Sequence, residues 1–522
     1  MISLSLIGRI AKNNTSTKRK TLHIVLKLGE VLFLLAPWIA TIALTVDCHN
    51  PIITKKIFQD VAIGSTTPGD SNFVNNQWAY NSIHAEEAWD ISVGSSDVEV
   101  AVLDTGVYAF HNDLYDNIDS YFDVVYQHDY QYGLFSFSDP NGHGTNVAGV
   151  IASKGNNSIG ACGVCWNSTI LPFDLYDFPL NSDIIVNVPY IISAVHYASQ
   201  EEIPIINFSN YGTGTIDSSL ETEIRDYPGL FICCAGNHGV NIDTSWQVFS
   251  YPSECSNMNN LISVGALDSS GHIKSNSNYG PYSVDLFAPG DGIYTTANSQ
   301  DSYTSSFSDT SCATAFVSGA AVLLKSINPD LTTSQLKSAI LDNVDVVDEL
   351  VEKCTTGGKL NVYKAALSVI PELISSTTRS VDSCSYNWVK IIVDSPCTYN
   401  FTLTGSPNLE LRLSNGVESY YVPLETSTIE TGYTSTSFNY LFGTPGTYYL
   451  RVKNNLSYKT NYTLSKSFVS FHNHSFTGGL IYVDGQYHGR TCECGTVGNL
   501  TMHVPKPNNS YICRFCNGLI SC

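Results

Sequence analysis

Two hydrophobic rhythms alternate along the chain from about Asn75 to Val369. Runs such as VEVAVLDTGV, TILPFDL, IPIINFSN, GLFICCAGN, NLISVGAL and YSVDLFAPG are largely apolar, the first of them running out in Asp and Gly. Short apolar runs bounded by turn residues read as strands buried on both faces. Between them, 144–153 and 189–200 repeat apolar positions at helical spacing. Strands alternating with helices predict an α/β domain over 75–370, with a parallel sheet covered by helices on both faces. Such sheets bind ligands at the carboxyl ends of their strands. Asp104, Ser209 and Asn237 fall at those ends.

The rhythm changes at about Glu372. KIIVD, YNFTLTG, LELRLSN, YYVPLE, FNYLFG and TYYLRVKN are short strands spaced by turns, without helical periodicity. They predict a β-sandwich over 372–468. The tail, 471–522, is too small to bury a core of its own and calls for cross-links or a metal. Its Cys492, Cys494, Cys513 and Cys516 have spacings that suit either tetrahedral Zn²⁺ or two disulfides. At the other end, a basic flank precedes an apolar run from Val31 to Val46. That length lies between a signal-peptide core and a membrane span, so 1–47 reads as a cleaved signal or an uncleaved anchor. The flank orients either one with its N-terminus in the cytosol.

Charge narrows the partners. The chain of 522 residues holds 26 Lys and Arg against 47 Asp and Glu, a net −21, and the excess grows if the basic leader is removed. So acidic a protein repels phosphate backbones and anionic headgroups. Nucleic acid is excluded as a partner, and membrane contact is confined to the N-terminal apolar segment. Fifteen cysteines suggest disulfides and an oxidising compartment, and the odd count leaves one unpaired. Cys312, beside a candidate nucleophile, suits that role as a small buried hydrophobe, and Cys384 and Cys397 flank a hairpin-like stretch across which they could pair. Six Asn-x-Ser/Thr sequons lie between Asn400 and Asn508, in keeping with a secreted or cell-surface glycoprotein.

Three segments carry the chemistry. AVLDTGV puts Asp104 at a strand end, NGHGTNVAGVIAS puts His143 at a helix start, and SDTSCATAFVSGAAVLL puts Ser311 at the start of a long apolar helix. Amide hydrolysis by a serine needs a base for its proton, an acid to orient the base, and donors for the oxyanion. His143 suits the base, Asp104 the orienting acid and Ser311 the serine itself. The Ser311 backbone N–H and the Asn237 side-chain amide suit the last.

The Asp-Thr-Gly, His-Gly-Thr-x-Val-Ala-Gly and Thr-Ser-x-Ala-Thr segments, in that order, resemble the subtilisin family of serine peptidases, which shares the order Asp, His, Ser. YPSECSNMNNLISVGALDSSG, NYGPYSVDLFAPGDGIYTT and GGKLNVYKAAL extend the likeness over about 75–370. The resemblance implies an endopeptidase acting on protein or peptide substrates. It implies that Ser209, Asn210 and Tyr211 pair with the substrate backbone, that Cys234, Ala235 and Gly236 form the other wall of the P1 pocket, and that Ser250 lies at its floor. A small neutral residue at that floor implies an apolar or broad P1 preference. GNNSIGA resembles a calcium loop, with Asp113, Asn157, Ile159 and Ala161 as oxygen ligands for structural Ca²⁺; the glutamine the family adds finds no clear place, since Gln77 directly precedes Trp78. LELRLSNG and GTYYLRV resemble the C-terminal domains that follow secreted peptidases. Two departures stand out. Asp309 replaces a Gly two residues before Ser311, where its charge would raise the His143 pKa or repel an oxyanion. Only about 27 residues separate the apolar run from the catalytic domain, short of the family's usual propeptide. Both departures leave an alternative, a catalytically silent surface binding protein built on the same fold.

Overall fold

The computed structural model describes residues 67–73, 77–119, 138–177, 185–186, 188–211, 217–245, 252–253, 255, 258–417 and 423–471, together with short strands in the tail at 480–484, 487–490, 501–502, 512–515 and 518–521. The chain enters through two short helices, α1 (Trp78–Ser82) and α2 (Ala85–Trp89), followed by strand β1 (Gly94–Asp104). Helix α3 (His143–Ala152) leads to β2 (Asn167–Asp174), and a small hairpin, β3 (Tyr176–Asp177) and β4 (Ile185–Val186), precedes α4 (Val188–Gln200). Then come β5 (Ile205–Phe208), α5 (Ser218–Asp226), β6 (Leu230–Cys234), β7 (Leu261–Leu267) and β8 (Leu286–Pro289).

These strands form one sheet in the order β8-β7-β6-β5-β1-β2, all parallel. A short antiparallel pair, β11 (Asp345–Val346) and β12 (Gly358–Lys359), extends the far edge beyond β8. Every residue of β5, β6, β7 and β8 is buried, as is the second half of β1. Continuous burial is what helices on both faces impose on a parallel sheet, and it is why these strands read as unbroken apolar runs. Strand β1 has β2 on one side and β5 on the other. The winding direction reverses there, which opens a crevice above the carboxyl end of β1.

One face of the sheet is covered by α6 (Thr310–Ile327), reached through the hairpin β9 (Ile293–Thr296) and β10 (Tyr303–Phe307). Helix α6 is long and apolar enough to cross a membrane by composition alone, yet almost all of it is buried. It is the core helix of the domain, packed against α3 and the strands. Helices α7 (Thr333–Leu341) and α8 (Val362–Val369) close that side.

The C-terminal region is a sandwich of two antiparallel four-stranded sheets, drawn from strands between Ser376 and Phe471. Its core is separate, built on Phe401, Leu411, Phe442, Leu450 and Leu464. Trp388 breaks that separation. Its ring is buried in the core of the α/β domain, and its Nε1 donates to Asp90 O at 3.1 Å. Beside it Tyr386 OH donates to Trp89 O, and Arg379 Nη1 donates to Ile327 O at 2.9 Å.

The cysteines correct the sequence reading. Cys162, Cys165, Cys233, Cys234, Cys312, Cys354 and Cys397 are buried free thiols, and Cys384 is an exposed one. Cys384 and Cys397 do not pair. Most of these residues act as small hydrophobes in the core, not as staples, and Cys312 is one unpaired thiol among several. The segment 1–47, Ser250, Cys492, Cys494 and Cys516 lie outside the described residues, as does the side chain of Cys513.

Candidate active site

Asp104 is the last residue of β1, at the reversal point, and its side chain is fully buried. Its Oδ1 accepts from Thr105 N at 2.8 Å and from His143 Nδ1 at 2.7 Å. The imidazole Nδ1 therefore carries the proton, and Nε2 keeps its lone pair on the opposite side of the ring. Phe307, the last residue of β10, sets its ring edge-on to the imidazole at 5.6 Å.

Two features hold His143 at the start of α3. Gly142 precedes it at φ 93°, a left-handed conformation that suits glycine. Asp139 anchors the turn. Its Oδ1 accepts from Thr105 Oγ1 at 2.8 Å and Gly142 N at 2.7 Å, and its Oδ2 accepts from Thr145 N at 2.8 Å and Thr145 Oγ1 at 2.7 Å. One buried carboxylate thus ties the residue after Asp104 to the first turn of α3. Sequence reasoning passed over Asp139, although an Asp four residues before a helix-starting His in DPNGH is a turn-forming signal.

The electrostatics follow. Burial pulls the His143 pKa down, but the charge and hydrogen bond of Asp104, and the charge of Asp139, outweigh it and leave the pKa above the ordinary histidine value of 6.5. Asp309 is not among the groups that raise it. That corrects the expectation that its charge raises the His143 pKa. The Asp309 carboxylate is engaged elsewhere, accepting from Asn276 Nδ2 at 2.8 Å with Lys274 Nζ at 3.8 Å. The departure from Gly is felt in the backbone instead. Asp309 sits at φ 82°, ψ −173°, a region that only glycine adopts freely.

Ser311 is in the first turn of α6, and the helix start directs backbone N–H groups toward the cleft. Its Oγ donates to Ser209 O at 2.9 Å, while Ser209 Oγ donates to Ser311 O at 3.0 Å. Among the described residues no hydrogen bond joins Ser311 to His143. Asn237 follows the end of β6 by three residues. Its Oδ1 accepts from Thr310 N at 3.1 Å and Thr310 Oγ1 at 2.6 Å. With the oxygen held by Thr310, the Nδ2 amide is the end left to point away from the helix.

The predicted walls lie past the ends of neighbouring strands. Ser209 to Tyr211 follow β5, and Cys234 to Gly236 run from the end of β6. Ser209, Cys234 and Ala235 are buried. The Tyr211 ring meets the His238 ring edge-on at 5.5 Å. Asn210 adds a side-chain contact to the backbone pairing expected of it. Its side chain turns inward to Leu103 O at 3.4 Å and Asp104 Oδ2 at 3.5 Å.

The four residues expected to hold calcium do come together, but with hydrogen bonds among themselves. Asp113 Oδ1 accepts from Asn157 Nδ2 at 2.7 Å, and its Oδ2 accepts from Ala161 N at 3.0 Å and Tyr303 OH at 2.8 Å. Asn157 Oδ1 accepts from Ile159 N at 3.0 Å. Ca²⁺ needs six to eight oxygens facing one point, and here the Asp113 carboxylate faces N–H and O–H donors. Among the described residues no cluster of three His, Cys, Asp or Glu is placed to hold a metal. Two residues that sequence reasoning left unplaced finish the loop. Asp70 accepts from the backbone N–H groups of Asn156, Asn157 and Ser158. Gln77 brackets Cys162, donating to its O at 2.9 Å and accepting from its N at 3.3 Å.

A doubly wound sheet with Asp104 hydrogen-bonded to His143 at the carboxyl end of its reversal strand, and Ser311 hydrogen-bonded to Ser209 just past the neighbouring strand, has the architecture of a serine peptidase. The comparisons agree. The Subtilase family, Peptidase_S8, matches residues 95–364. The thermophilic serine proteinase of Bacillus sp. (strain AK1) is 33% identical over 61% of this chain and 73% of its own length. Thermitase of Thermoactinomyces vulgaris is 30% identical over 57% of this chain and 99% of its own, and subtilisin BL of Lederbergia lenta is 31% identical over 56% and 95%. The chain belongs to the subtilase family and is a serine-type endopeptidase.

Proposed function

We propose that the peptidase works through an acyl-enzyme on Ser311, with His143 as the general base, Asp104 as its orienter, and Ser311 N–H and Asn237 Nδ2 as oxyanion donors. The observation that carries this reading is the 2.7 Å contact between Asp104 Oδ1 and His143 Nδ1, which leaves Nε2 as the only free basic nitrogen. Rotation of the Ser311 side chain from Ser209 O toward Nε2 sets up attack. As Oγ bonds to the substrate carbonyl carbon, its proton passes to Nε2 and the carbonyl oxygen takes the negative charge. The imidazolium then gives that proton to the departing amine, and a water repeats the sequence to release the acid. The same rotation releases Ser209 O to accept an N–H from a substrate strand laid between 209–211 and 234–236.

The buried, apolar wall at Cys234 and Ala235 supports an apolar or broad P1 preference. The hydrogen-bonded Asp113–Asn157 pair favours a loop closed by its own donors over the Ca²⁺ that the family resemblance implies. The apolar run 31–46 and the exposed sequon residues Asn455 and Asn461 support export to the cell surface or beyond. Hydrolysis of a peptide series varied at P1, by wild type and Ser311→Ala, tests the reading. Cleavage after apolar residues that vanishes in the variant is expected. A folded wild type that cleaves nothing would favour the silent binding protein, and strict cleavage after Arg or Lys would defeat the P1 assignment.

A further inference from the structure

The Asp104 carboxylate has two oxygens, and the triad engages one. Oδ1 takes both the His143 and Thr105 bonds. Among the described residues the only donor to Oδ2 is Asn210 Nδ2, at 3.5 Å and shared with Leu103 O at 3.4 Å. A fully buried carboxylate oxygen without a donor is costly, so this contact matters despite its length. An amide can present either end, and here the choice is made by Tyr176, whose hydroxyl donates to Asn210 Oδ1. Nδ2 is thereby turned to Asp104.

Topology explains how residues so far apart meet. Strands β2 and β5 flank β1, so the residues just past their ends face each other across Asp104. Tyr176 comes from the β2 side, where Leu175 N donates to Asp104 O at 2.9 Å, and Asn210 comes from the β5 side. Asn210 also follows Ser209, which exchanges two hydrogen bonds with Ser311.

We propose that Asn210, oriented by Tyr176, is a positioning residue for catalysis, fixing the Asp104 carboxylate through the oxygen that His143 does not use. This rests on the reading of Asp104 as the orienter of His143. The titratable neighbours of the pair are Asp139, Asp174, Tyr176 and Cys234. Burial drives the Tyr176 hydroxyl far up and pushes the Cys234 thiol up to about 12, so both are neutral in the working range and the carboxylates in play are Asp104, Asp139 and Asp174. Loss of the Oδ2 donor leaves the carboxylate charge less shared, strengthens its hold on the imidazolium, and raises the pH at which His143 becomes a free base.

The test is a double-mutant cycle on kcat, KM and the acid limb of kcat/KM, with Tyr176→Phe, Asn210→Ala and the double variant. Each single change is expected to lower kcat on the order of tenfold, the scale of one hydrogen bond to a charged group. KM is expected to hold, and the acid limb to move up by roughly a few tenths of a pH unit. The double variant should be no slower than Asn210→Ala, because Tyr176 acts through Asn210. Tyr176→Phe keeps the ring and so keeps the packing if Asn210→Ala fails to fold. Losses that multiply in the double variant, an unmoved limb, or an effect confined to KM would overturn the proposal. Activity of wild type that is abolished in Ser311→Ala would leave the hydrolase reading standing in that event, and an inactive wild type would overturn both.

Discussion

Asp139→Asn separates the two tasks of a residue outside the triad. The carboxylate accepts four hydrogen bonds, two from backbone N–H groups and two from threonine hydroxyls. An amide keeps one oxygen. Its NH₂ must then face either Gly142 N–H or Thr145 N–H. A threonine hydroxyl can turn and accept, but a backbone N–H cannot. The minimum damage is one charge-assisted bond and one buried N–H left without an acceptor, together about 3 kcal/mol. Urea unfolding of Asp139→Asn in a Ser311→Ala background, where the protein cannot digest itself, measures this loss directly. The second task is electrostatic. His143 must be neutral to act as base, so activity falls as pH drops through its pKa, which Asp104 and Asp139 hold above 6.5. Removing the Asp139 charge lowers that pKa, and the acid limb of kcat/KM should move to lower pH by roughly a few tenths of a unit. A stability change under about 0.5 kcal/mol, too small for the lost bonds, would refute the hydrogen-bond account. A limb that stays put or moves to higher pH would refute the electrostatic one.

Three further outcomes follow from the geometry. Asp309→Gly relieves a glycine-only backbone conformation worth about 1–3 kcal/mol and gives up a bond to Asn276 worth about 1 kcal/mol; a net gain of about 1 kcal/mol is expected in urea unfolding, with the acid limb of activity unmoved. Trp388→Ala removes a ring buried in the α/β core, so a loss of about 3–5 kcal/mol should appear in unfolding of the catalytic domain itself, followed by loss of activity on heating. Chelation with EDTA should leave the Tm and the activity unchanged, since donors from Asn157, Ala161 and Tyr303 already satisfy Asp113; a clear fall in Tm would restore a calcium ion to that loop.

What the sequence revealed and what it hid divide by the range of the interactions. The parallel sheet was legible because burial on both faces writes itself locally, as unbroken runs such as LFICC and LISVGAL. Asp104, His143 and Ser311 were legible because each stands in a recognisable local segment. The inward turn of Asn210 was not, because it depends on Tyr176, which lies across the reversal strand with no local signal to join the two. The role of Asp309 could be located as a departure from Gly, but its consequence depends on a φ angle and on Asn276, neither of which a sequence displays. The cysteines misled for a related reason. Counting them cannot distinguish a disulfide from a thiol used as a small core side chain, and Cys162, Cys165 and Cys233 are the latter. The loop at 155–161 carried the right residues for oxygen ligation, yet the carboxylates that accept from its backbone, Asp70 and Asp113, and the Tyr303 hydroxyl that bonds Asp113, come from distant segments.

The central claim is that Ser311 is a nucleophile activated by an imidazole that Asp104 holds in place. Intact-mass analysis of the protein after a fluorophosphonate reagent, with the adduct mapped by peptide sequencing and its rate followed against pH, tests this most directly. One adduct per chain on Ser311 is expected, forming at a rate that rises with pH through a single step above 6.5 and drops by orders of magnitude in His143→Ala. A folded protein that takes up no reagent, or takes it up at another serine, would contradict the account.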